Sequence, residues 1–111
     1  MRRIICSRHA GAVNFARSEL ERAGLGNDWE VVAHLDDSTL AQLGEGDILV
    51  GVLPTNLIAR LKQAGVRVIL ITLNLPPEAR GKELSVEQMR SYGGKLEEVV
   101  ACELRPLEGV V

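Results

Sequence analysis

Three short apolar runs, each spilling into a polar turn and a helix-like pattern, constrain the fold of this chain more than any other feature. They are "RIIC" at residues 3–6, "DILVGVL" at 47–53 and "VRVILITL" at 66–73. Runs of this length, rich in β-branched residues and without polar alternation, read as strands covered on both faces. Between them, residues 11–23 carry Val13, Ala16, Leu20 and Ala23 on one helical stripe and end at Gly24. Residues 54–64 form a second helix, with Pro54 suited to its first turn and Gly65 to its end.

The remaining segments extend the pattern. Residues 29–35 ("WEVVAHL") read as a strand with His34 half-buried on it, and residues 38–43 as a short helix capped by Ser38. Adjacent Asp36 and Asp37 fit turn formation better than a carboxylate pair. Two prolines and a glycine make residues 75–82 a loop, and Ser85 with Gln88 gives residues 85–92 the signature of a capping box before Gly93 and Gly94. Residues 96–104 complete the set as an edge strand. Alternating strands and helices predict one α/β domain over residues 1–111, with a mostly parallel, Rossmann-like (CARF-like) sheet carrying helices on both faces.

Composition removes several function classes. No apolar run approaches the roughly 20 residues of a membrane span, and the N-terminus lacks a signal-peptide core, so a cytoplasmic protein with no membrane partner is expected. A net charge of -2 argues against a general basic surface for long nucleic acid, and three aromatic residues, Phe15, Trp29 and Tyr92, cannot build a stacking platform. Cys6 and Cys102 sit in apolar runs without metal-type spacing, which predicts reduced, buried thiols. With two histidines and no phosphate-binding lysine or dinucleotide glycine motif, neither a metal nor a cofactor is expected. A cysteine phosphatase loop starting at Cys6 would need arginine six residues later, where Ala12 stands.

Ligands of open α/β sheets sit beyond the carboxyl ends of the strands. Three polar segments fall there. Ser7, Arg8 and His9 follow the first run and precede Gly11, Thr55 and Asn56 follow the third predicted strand, and Arg80 with Gly81 lies in the loop after the fourth. Histidine is the side chain best suited to proton transfer near neutral pH, and arginine offers a fixed fork of donors to phosphate. Ser7 could also cap the helix that follows it, Thr55 and Asn56 could serve a helix start, and Arg80 with Lys82 and Glu83 could form a solvated charge cluster.

"SRHAGA" at 7–12, "GDILVGVLPTNLIARLKQAG" at 46–65 and "LNLPPEARGKELS" at 73–85 together resemble the type III CRISPR accessory family Csx-sixteen across nearly the whole chain. Phe15 and Asn74 stand where that family often has tryptophan and aspartate. The resemblance implies a ring nuclease that opens the second messenger cyclic tetra-adenylate. It would release linear di-adenylate ending in a 2′,3′-cyclic phosphate and so switch off antiviral signalling. On that reading His9, Arg8 and Ser7 are the catalytic candidates, and Gly11, Thr55, Asn56, Arg80 and Gly81 the substrate-binding ones. One small domain can scarcely surround such a ring, so a two-fold homodimer is expected. The alternative is a protein that sequesters cyclic oligoadenylate without cutting it.

Overall fold

The computed structural model describes residues 1–107. Strand β1 (Arg3–Cys6) is followed by helix α1 (Ala10–Arg22), β2 (Glu30–Val32), α2 (Asp37–Gln42), β3 (Ile48–Gly51), α3 (Thr55–Gln63), β4 (Arg67–Thr72), α4 (Val86–Ser91) and β5 (Lys95–Glu98). The sheet has the order β2-β1-β3-β4-β5. The first four strands are parallel, and β5 runs antiparallel to β4 at the edge. The α/β class and mostly parallel sheet expected from the sequence are both present. Residues 108–111 of the expected domain lie outside the described residues.

The apolar runs form strands because both of their faces are covered. Ile5, Val50, Ile69 and Ile71 point to one side, where Phe15, Ala16 and Leu20 of α1 and Met89 of α4 meet them. Ile4, Leu49 and Val68 point to the other, under Ile58 and Leu61 of α3 and Leu43. Alternation along each strand thus feeds two cores, and helices lie on both faces of the sheet. The α1 stripe is shifted from the sequence reading: Phe15 is wholly buried, whereas Ala23 is exposed at the helix end.

Several boundaries differ from the sequence expectation for identifiable reasons. Strand β2 keeps only three residues, those that pair with Ile4, Ile5 and Cys6 before β1 ends; Trp29 precedes it with its ring centroid 4.4 Å from the Arg3 guanidinium, and His34 is exposed beyond it. Asp36, not Ser38, caps α2 by accepting from the Thr39 amide at 2.7 Å. The 75–82 loop contains a 3₁₀ turn at Pro77–Ala79, whose Ala79 is buried. Strand β5 ends at Glu98 instead of reaching residue 104: Val99 still donates to the Val68 carbonyl at 2.8 Å, but β4 begins at Arg67 and offers no partner past residue 100. Beyond it Val99 and Cys102 pack on the second core. The capping box of α4 forms as expected, with Ser85 Oγ accepting from the Gln88 amide and Gln88 Oε1 from the Ser85 amide. Cys6 and Cys102 are free and partly buried.

At the amino end of the sheet, the Asp47 carboxylate accepts the Arg2 amide at 2.7 Å and the Gly44 amide at 2.9 Å. These bonds hold its pKa below the usual carboxylate value, the Arg2 amide contributing most. A group whose pKa is depressed on folding adds stability above its unfolded value and loses it as pH falls through the folded one. Asp47→Ala should therefore lower the unfolding free energy by about 1–3 kcal/mol at neutral pH. The deficit should shrink as the pH is taken from about 6 to about 3. Urea denaturation across that range checks both, and a deficit independent of pH would contradict the assignment.

Candidate functional site

Strand order reverses between β1 and β3, because the connection from β1 leads to β2 on one side and that from β3 to β4 on the other. Connections leaving this point diverge and open a crevice at the carboxyl ends of the strands. Gly51 closes β3 against β1: a Cβ there would lie 2.7 Å from the Cys6 carbonyl oxygen. The β1–α1 turn of Ser7, Arg8 and His9 stands at the rim.

His9 is the residue that caps the start of α1, in extended conformation and without a capping side-chain bond. Its carbonyl accepts from the Val13 amide at 3.1 Å, while its own amide donates to Ser7 Oγ at 3.1 Å. Ser7 thus fixes the turn before the helix and does not cap the helix itself. The amides of Ala10, Gly11 and Ala12 have no intrahelical acceptor and carry the positive end of the helix dipole. A 13-residue helix starting in this way is suited to an anion.

Two concavities meet at His9. One is an open shelf formed with Ser7, Arg8, Asn14 and Arg17. Arg8 and Arg17 make no ion pair among the described residues, whereas Arg2, Arg22, Arg67 and Arg90 are engaged by Glu30, Glu19, Glu98 and Glu19. Two uncommitted guanidinium groups beside free helix amides concentrate positive potential on the shelf. The second concavity is a cleft of about 320 Å³ between α1 and the 73–85 loop, lined by Leu73, Leu75, Leu84 and Met89 with Gly11 and Gly81. Glu83 stands at its mouth, with Oε1 3.9 Å from His9 Nδ1.

The sequence candidates therefore divide. Ser7, Arg8, His9, Gly11 and Gly81 share this rim. Thr55 and Asn56, exposed in the first turn of α3, and Arg80, exposed after the 3₁₀ turn, line neither concavity. Gly11 has a packing role as well: a Cβ would fall 2.6 Å from the Leu84 carbonyl oxygen, so its lack of a side chain lets the loop lie on the helix. Burial pushes the Cys6 thiol pKa up, with Arg8 only partly opposing it, which leaves Cys6 a poor nucleophile. Sequence reasoning missed Asn14, Arg17 and Glu83. The helical spacing from Ala10 to Asn14 and Arg17 could have placed the first two beside His9. Nothing local could have placed Glu83.

Fold and site define an α/β protein whose polar groups gather around an anion-competent helix start at the switch point of a parallel sheet. Residues 4–102 match the model of the family described as "Putative CRISPR-associated protein (Cas_VVA1548)". The chain belongs to that family. No curated protein and no solved structure matches it. Among the described residues no helix is long and apolar enough to cross a membrane.

The Gly11 contact yields a direct test of how the cleft is built. Gly11→Ala should destabilise the protein by about 1–3 kcal/mol through overpacking. It should also speed limited proteolysis within residues 73–85. Unchanged melting and unchanged cleavage would show that the loop does not rest on α1.

Proposed function

We propose that this protein is a ring nuclease that opens cyclic tetra-adenylate without a metal ion, the activity that the resemblance to Csx-sixteen implies. The observation that carries this reading is the position of His9. Its imidazole stands where the cationic shelf of Arg8 and Arg17 meets the cleft under the 73–85 loop. A proton carrier beside a phosphate-binding surface supplies what cleavage by an internal hydroxyl requires.

In the proposed step the ribose 2′-oxygen attacks the adjacent phosphorus and the bond from phosphorus to the 5′-oxygen breaks. His9 takes the 2′-hydroxyl proton and later releases it to solvent, while solvent gives a proton to the departing 5′-oxygen, so the products are a 2′,3′-cyclic phosphate and a 5′-hydroxyl. No water is consumed. Arg8, Arg17 and the Ala10 to Ala12 amides face the growing charge on the phosphoryl oxygens. Ser7 holds the turn that presents His9. Two such sites related by a dimer axis would meet opposite phosphates of one ring and release two linear di-adenylates.

Incubating the purified protein with cyclic tetra-adenylate in EDTA, and separating products by liquid chromatography with mass detection, tests the proposal. Linear di-adenylate with a cyclic phosphate end is expected. Intact ring co-eluting with the protein would replace cleavage by sequestration, and no association would overturn both. His9→Ala should lower the single-turnover rate at least about tenfold, the scale of general acid-base groups. An unchanged rate would remove His9 from the chemistry.

A further inference from the structure

The cleft beside the shelf is lined quite differently from it, and phosphate contacts do not explain it. Leu73, Leu75 and Leu84 form its walls and the buried Met89 its floor. A cavity of about 320 Å³ is at the small end of ligand pockets, the size for one ring system rather than a whole nucleotide. Apolar walls with a methionine floor favour a flat aromatic ring, since thioether sulfur packs well on such edges. The mouth is polar and mixed in sign, with Glu83 and Lys82 side by side and His9 across from them.

From this lining we infer that the cleft is a nucleobase subsite selective for adenine, with the attached phosphate on the neighbouring shelf. The inference rests on the shelf's reading as a phosphate site. An ionised carboxylate can only accept, and an ammonium can only donate. Adenine presents an amino donor beside the N7 acceptor on one edge, which answers Glu83 and Lys82 together. Guanine and hypoxanthine present two acceptors on the same edge, and the oxygen would face the Glu83 carboxylate unpaired. Glu83 is thus the specificity-determining residue, and the 73–85 loop selects the base while α1 takes the phosphate.

Mononucleotides test this without reference to cleavage. Adenosine 5′-monophosphate, inosine 5′-monophosphate and ribose 5-phosphate are titrated separately into the intact protein at millimolar concentrations, following amide and methyl resonances by NMR. The adenine nucleotide should move the methyls of Leu75, Leu84 and Met89 and the amides of Ala10 to Ala12, whereas ribose 5-phosphate should move the amides alone. Adenosine 5′-monophosphate should bind at least about fivefold more tightly than inosine 5′-monophosphate, as one charge-assisted hydrogen bond allows. That ratio should vanish in Glu83→Gln. Leu75 is only half-buried on the loop, so Leu75→Asp should fold normally and lose the methyl response. Equal shifts from all three ligands, or none at the cleft methyls, would overturn the subsite. Adenine-specific binding with cyclic tetra-adenylate left intact would uphold the subsite while refuting ring cleavage.

Discussion

Strands β1 and β3 are covered on both faces, so their backbone amides and carbonyls can be satisfied only by neighbouring strands. Their register pairs Ile4 with Leu49 and Ile5 with Val50, all of them essentially without solvent contact. Everything else follows from this buried pair. Parallel strands need crossovers, the crossovers must cover both faces, and the two leaving β1 and β3 must part company in opposite directions. The crevice they leave is where α1 begins. Site and core are therefore consequences of one pairing, with Asp47 fastening its amino end and Gly51 allowing the close approach at its carboxyl end.

The functional reading depends on what the core does not use. Among the described residues four arginines are tied into surface pairs, including Arg67 to Glu98 across β4 and β5 and Arg90 to Glu19 between α4 and α1. Such exposed pairs contribute little stability. Arg8 and Arg17 are among the arginines outside these pairs, and they stand beside the open amides of α1. An overall net charge of -2 coexists with this local concentration of positive groups, which suits a small polyanionic ligand better than long nucleic acid.

The strands β1, β3 and β4 were legible in the sequence because double burial leaves unbroken apolar runs, and the Ser85 and Gln88 capping box because its two bonds are local. The end of the sheet was not. Val99, Val100 and Cys102 look like strand residues, but with Ile69 opposite Glu98 and β4 starting at Arg67, a partner exists only as far as residue 100, and Val99 keeps a bond to the Val68 carbonyl. His34 was misplaced for the same reason, since β2 ends at Val32. At the site, the turn after β1 could be read directly, whereas the packing of Gly11 against the Leu84 carbonyl could not. The pairing of His9 with Glu83 spans 74 residues, and only the fold of the 73–85 loop onto α1 brings them near. Belonging to a CRISPR-associated family agrees with the family resemblance seen in the sequence at that coarser level.

The central claim is that the start of α1 receives a phosphodiester of a cyclic oligoadenylate. A cyclic tetra-adenylate with 2′-deoxyribose cannot be opened by its own hydroxyl, so its complex can be observed at equilibrium. Its effect on the amide spectrum of the protein is the most direct measurement. The largest shifts should fall on Ala10, Gly11 and Ala12, with Arg8 and Arg17 side-chain signals moving alongside. Shifts centred on Thr55 and Asn56, or on the edge formed by β5, with the α1 amides unmoved, would contradict the account.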